Sequence, residues 1–158
     1  MNFPPLSKYI GLILAFMMMT NFQARAQSAN VAYDKVLADS LGADNYGMKM
    51  YVFVLLKSGS VTLNKQKTDS LFNGHMQNIN RLADAGKLVV AGPFKKNDQN
   101  FRGLFILNVK TTQEAQALLQ TDPAISSGLL SSEMYGWYGS AALPMYLPAS
   151  KKIEKDTF

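Results

Sequence analysis

The chain contains no cysteine, a single histidine and a single tryptophan in 158 residues. Without thiols there is no disulfide, no thiol nucleophile, no iron–sulfur ligation and no thiolate zinc site. Stability must therefore come from packing or from contacts between copies. One histidine with one or two aspartates falls below the three protein ligands usual at catalytic zinc. No metal and no cofactor is expected. Gly-rich phosphate loops and a Gly-x-Ser-x-Gly elbow are missing, and no carboxylate pair has the spacing of a glycoside hydrolase. Acidic residues are also scarce, 11 against 16 basic ones, for a formal net charge of +5. The basic excess is dispersed, with Lys95-Lys96 and Lys151-Lys152 as the only tight pairs. Nucleic-acid binding asks for a basic stripe or face, so no nucleic-acid partner is expected.

The amino terminus has the layout of a secretory signal peptide over residues 1–26. Lys8 supplies the basic region, Tyr9 to Phe22 forms an apolar run, and Ala24-Arg25-Ala26 is a small-x-small cleavage site before Gln27. The apolar run is shorter than the roughly 20 residues that span a bilayer. The mature chain is expected to be exported, periplasmic or secreted, and free of the membrane after cleavage.

The mature chain reads as an extension, one domain and a tail. Residues 27–48 carry a short helix, Val31 to Leu41, ended by Gly42 to Gly47. Residues 49–140 carry the domain. Met50 to Leu56 is a nearly continuous apolar run, the pattern of a strand buried on both faces. Thr68 is a candidate N-cap for a helix in which Leu71, His75, Ile79 and Leu82 share one face, and Gly86 is its natural stop. Leu88 to Ala91 forms a second strand. The third, Phe101 to Val109, places Phe101, Gly103, Phe105, Leu107 and Val109 on one side. Thr111 and Glu114 have the spacing of a capping box, and Asp122-Pro123 should end the second helix. Met134 to Tyr138 reads as a fourth strand. Residues 141–158 form a tail with Pro144 and Pro148, expected to be mobile from Lys151 onward.

The order β-α-β-β-α-β is that of an α+β, ferredoxin-like sheet with two helices on one face. Those helices leave the other face uncovered, and a second copy packed face to face would cover it. A homodimer is expected.

Several pieces of this pattern together resemble the YciI-like (YCII-related) family. They are His75-Met76, Gly86-Lys87-Leu88, Gly92-Pro93, Arg102-Gly103, Glu114-Ala115, and Asp122-Pro123 with Gly128-Leu129 beyond it. The resemblance spans about Met50 to Trp137. It implies a ferredoxin-like domain that pairs as a dimeric α+β barrel, similar to muconolactone isomerase, with a His–Asp pair as its suggested active site. It also implies dehalogenation or isomerisation of small ring compounds for some relatives. The export signal, the extension and the tail depart from the small cytoplasmic members.

His75 has two readings. It is a general acid/base in a pocket between helix and sheet, or it fills that interface and bonds a backbone carbonyl. Asp122 and Asp98 compete as its partner, and the family pattern favours Asp122. Asp122 also has a plain role, since aspartate before proline commonly makes a turn. Arg102 is a candidate two-pronged donor to a substrate carboxylate. Tyr51 and Trp137, with Tyr135, line an aromatic ligand cavity or pack a dimer interface. Two functions fit these residues. One is a cofactor-independent lyase, isomerase or hydrolase acting on a small carboxylated or cyclic metabolite. The other is a non-catalytic, small-ligand-binding or stress-associated dimeric module.

Overall fold

The computed structural model describes residues 30–155, so the expected signal segment at residues 1–26 lies outside the described residues. Asn30 to Tyr33 form a turn closed by the Tyr33 N–H on the Asn30 carbonyl, and belong to a unit separate from the one that starts at Asp34. From there the elements are α1 (Lys35–Leu41), β1 (Met48–Ser58), α2 (Lys65–Asp84), β2 (Leu88–Pro93) and β3 (Phe101–Leu107). They continue with α3 (Thr112–Leu119), α4 (Pro123–Ser126), β4 (Leu130–Ser140), a 3-10 turn (Leu143–Tyr146) and α5 (Leu147–Ile153).

The sheet order is β2-β3-β1-β4 with antiparallel neighbours throughout, the arrangement of a ferredoxin-like fold. Strand β1 is longer than its apolar run. Main-chain pairing with β4 continues from Met48↔Ser140 to Ser58↔Leu130. Alternation along β1 sends Val52, Val54 and Leu56 into the core with Phe105 and Leu107 of β3 and Leu82 of α2. Lys49, Tyr51, Phe53 and Leu55 point to the opposite face.

Several local expectations change: the first helix starts at Lys35 and not Val31, and the last strand is longer than Met134 to Tyr138. Helix α2 starts one turn earlier than Thr68, because the Asn64 side chain accepts from the Lys67 N–H at 3.0 Å and becomes the cap. Its stop is as the sequence reads. Gly86 adopts φ +65°, and the Lys87 N–H reaches back to the Leu82 carbonyl. On β3, a bulge opposite Leu56/Lys57 pairs Lys57 with Phe101 and Leu56 with Gly103. One residue is left over, so Phe101 joins the open face instead of the Gly103–Phe105–Leu107 side. Finally, the tail is helical through residues expected to be mobile from Lys151 onward. Pro148 sits in the first turn of α5, where its missing N–H costs nothing, and the helix runs through Lys151 and Lys152.

The capping box at α3 forms as the spacing predicts: the Thr111 hydroxyl accepts from the Glu114 N–H, and the Glu114 carboxylate accepts from the Thr111 N–H. These bonds hold the Glu114 carboxyl below the usual range, the Thr111 side chain contributing most. No helix among the described residues is long and apolar enough to cross a membrane.

Candidate functional site

Helix α3 ends at Leu119, and Asp122 starts the next helix instead of merely ending that one. Its Oδ1 accepts from the N–H groups of Ala124 (2.9 Å) and Ile125 (3.3 Å), with Pro123 at the first helical position. That cap fixes the carboxylate. Its other oxygen, Oδ2, lies 2.6 Å from His75 Nδ1. The His75 side chain is 10% exposed and that of Asp122 only 1%, so the pair is largely withdrawn from water. With an ionised carboxylate as acceptor, Nδ1–H is the donor in this bond and Nε2 is left as the free ring nitrogen.

Two aromatic rings hold the imidazole. Phe105 of β3 stacks on it with ring centroids 5.9 Å apart, and Phe72, one turn earlier on α2, meets it edge-on at 6.0 Å. Two further features bring α2 against α4. Gly74 touches Pro123 so closely that a Cβ there would lie 2.6 Å from the proline Cγ. Asn78, buried one turn after His75, accepts from the Thr121 hydroxyl at 3.0 Å and from the Arg81 guanidinium at 2.6 Å. Arg81 also donates to Thr121 Oγ1. Asn78 and Thr121 thus latch the same two segments that His75 and Asp122 join.

His75 lines a cavity of about 770 Å³ between the sheet and α2. Apolar surface comes from Leu56, Phe72, Ile79, Leu88 and Phe105, and Arg102 stands in the same wall. The tail supplies the facing side through Tyr146, Leu147, Ser150, Lys151 and Glu154. Tyr146 donates its phenol O–H to the Val89 carbonyl of edge strand β2 at 2.5 Å, and burial pushes its pKa up. Lys151 pairs with Asp84 at the end of α2, 2.6 Å apart.

The sequence-derived candidates therefore separate. His75, Asp122 and Arg102 gather around one cavity or its immediate support. Asp98 is exposed in the β2–β3 loop and does not line that cavity. His75 pairs with Asp122. Tyr51 and Trp137 sit side by side on the opposite face of the sheet, with ring centroids 5.7 Å apart and the Tyr51 hydroxyl on the Ser140 carbonyl. They share no cavity with His75. Sequence reading missed Gly74, Asn78, Thr121 and the tail wall. Asn78 lies three residues after His75, which puts it on the same helical face, and that was the available signal. The close approach at Gly74 and the path of the tail leave no such mark. Among the described residues, no group of three or more histidine, aspartate or glutamate side chains is placed to hold a metal ion.

Comparison with known proteins agrees on the domain. The model of the YCII-related domain matches residues 50–135, more than half of the chain. No curated protein matches. Among solved structures, 5-chloro-2-hydroxyhydroquinone dehydrochlorinase from Burkholderia phenoliruptrix AC1100, in complex with 2,5-dihydroxybenzoquinone, is similar at 18% identity and a TM-score of 0.40. The match covers 54% of this chain and 92% of that one. Sheet order, helix placement and the matched segment lead to one assignment: this chain belongs to the YCII-related domain family.

Proposed function

We propose that this protein is an exported, cofactor-independent lyase, isomerase or hydrolase for a small cyclic or carboxylated metabolite, with His75 moving the proton. The observation that carries this reading is the 2.6 Å bond to the buried, helix-capping Asp122 from Nδ1 of His75, which lines an apolar cavity. Asp122 orients the ring and stabilises the imidazolium once Nε2 has taken a proton. Phe72 and Phe105 hold the ring plane, and the surrounding apolar wall keeps water sparse around the reacting group. Asp122 does not line the cavity and acts through His75. It is a positioning residue.

The test does not require the substrate to be known. A panel of small cyclic acids and hydroxylated ring compounds is incubated with the full-length protein in deuterated water, and hydrogen–deuterium exchange at carbon is followed by proton NMR. Exchange that the wild type accelerates and His75→Ala does not is the expected result. Equal exchange with both proteins, across the panel, sinks the acid/base reading.

A second reading, a non-catalytic ligand-holding module, is favoured by one observation: the tail lines the cavity with residues beyond the family's matched segment. Under that reading, removing residues 143–158 disturbs ligand binding more than changing His75 does.

The open face of the sheet supports a homodimer. Tyr135 is 52% and Trp137 38% exposed there, beside the partly buried Phe53, Leu55, Leu104 and Ile106. A contiguous aromatic and aliphatic sheet face is the kind of surface that a second copy covers. Trp137→Glu is expected to convert a dimer to a monomer in light scattering. A wild type that is monomeric at high concentration overturns this part of the proposal.

A further inference from the structure

The β-bulge beside the cavity sorts two cations onto opposite faces of the sheet. Lys57 goes to the open face, where it pairs with the Glu133 carboxylate at 2.5 Å and lies 5.4 Å from the centre of the Phe101 ring. Arg102 is the residue that the bulge leaves without a partner in the register, and it turns to the helix side. There it lines the His75 cavity and also a second one of about 290 Å³, bounded by Val61, Thr62, Thr68 and Leu129. Arg102, Phe72 and Leu130 form the partition between the two.

The other charged groups at the larger cavity have partners. Lys151 is paired with Asp84, and Glu154 accepts from the Ser150 hydroxyl at 3.4 Å. Among the described residues the Arg102 guanidinium forms no ion pair. A planar fork of donors next to an apolar wall suits a ligand with a flat apolar body and a carboxylate at one end.

We infer that the cavity selects a small aromatic or cyclic carboxylate. Arg102 binds the carboxylate in two-pronged fashion, and the ring lies against Phe72, Ile79, Leu88 and Phe105 within reach of His75. This names a substrate class for the site proposed above and rests on that assignment of the cavity. Its test reads binding, not turnover, so the two can fail separately.

Benzoate and its neutral counterpart benzamide are titrated by calorimetry into the full-length wild type, Arg102→Gln, Arg102→Lys and His75→Ala. Benzoate is expected to bind the wild type about tenfold or more tightly than benzamide, the contribution of a charge-assisted hydrogen-bond pair. Arg102→Gln should erase the difference and Arg102→Lys restore part of it, with unchanged melting curves. The preference should survive in His75→Ala. The inference is overturned if the wild type shows no saturable benzoate binding, or binds both probes equally. It is also overturned if Arg102→Gln keeps the preference, or if only His75→Ala loses it, which would assign the anion to the imidazole. An Arg102-dependent benzoate preference without hydrogen–deuterium exchange upholds Arg102 as the anion anchor and removes the acid/base reading alone.

Discussion

The wall that carries His75 and the wall that the tail adds face the same cavity, yet they are held by different kinds of contact. The first lies inside the family's matched segment, and its geometry is fixed many times over. The Asp122 carboxylate caps α4 and accepts from His75, Gly74 lets the helices meet, and the Asn78–Thr121 latch repeats the connection one turn on. The second lies beyond the matched segment and rests on the Tyr146 phenol and an exposed Lys151–Asp84 pair. The difference fits the role proposed for His75. A proton-transfer group needs placement within fractions of an ångström, whereas a wall that only bounds the ligand tolerates looser attachment.

If the two walls differ in this way, the greatest loss of stability should come from Asp122. Asp122→Ala removes a helix cap, worth about 1 kcal/mol, and strips His75 Nδ1 of its acceptor, a further roughly 1–3 kcal/mol. Thermal unfolding should show a clear drop in melting temperature. Next is His75→Ala. Asp122 keeps its two backbone donors and the vacated space opens onto the cavity. The stability loss is therefore expected near the low end of about 1–3 kcal/mol, while proton-exchange activity disappears.

Gly74→Ala probes the same wall without touching a polar group. The added methyl meets a proline ring that cannot turn aside. An overpacking cost of about 1–3 kcal/mol is only partly offset by the roughly 1 kcal/mol gain in helix propensity. It should loosen the His75–Asp122 bond as well as lower stability. By contrast, ending the chain at Ala142 should leave the melting curve nearly unchanged and weaken benzoate binding severalfold. A collapse of the fold on truncation would mean that the tail holds the domain together, and the distinction between the walls would be lost.

A pH dependence away from both walls should be weaker still. The folded-state pKa of Glu114 lies below its unfolded value, first because of the Thr111 hydroxyl and then because of backbone N–H groups. A depressed carboxyl contributes stability above its unfolded pKa and loses it as pH falls through the folded value. Melting curves of Glu114→Gln and wild type should therefore differ at neutral pH and converge under acid conditions below both values.

How much of this is written in the sequence depends on the range of the interaction. The strand run at Met50–Leu56, the Gly86 stop and the Thr111–Glu114 box depend on neighbours a few residues apart, and they form where the pattern puts them. Helix α2 starts early because Asn64 and Thr68 are both acceptable caps, and propensity alone does not choose between them. The bulge that sends Phe101 to one face and Arg102 to the other is set by pairing with β1, where Phe101 meets Lys57 from far earlier in the chain. Strict alternation cannot show it. His75 is legible as the lone histidine on an apolar helix face, but its pairing with Asp122 over Asp98 rests on the family pattern, since 47 residues separate the two. Asn78 shares the His75 face by spacing, but its partner Thr121 lies far along the chain, and nothing local marks the tail as a cavity wall.

Nitrogen-15 NMR of the imidazole asks whether Asp122 sets the tautomer on which proton transfer depends, and its signals are unambiguous because His75 is the only histidine. In the neutral wild-type ring the proton should sit on Nδ1 and Nε2 should be bare. That preference should be lost in Asp122→Asn, whose amide can donate to the ring. A wild-type ring protonated on Nε2 would refute the role given to Asp122, as would one that averages both forms like free imidazole and is unaltered by Asp122→Asn.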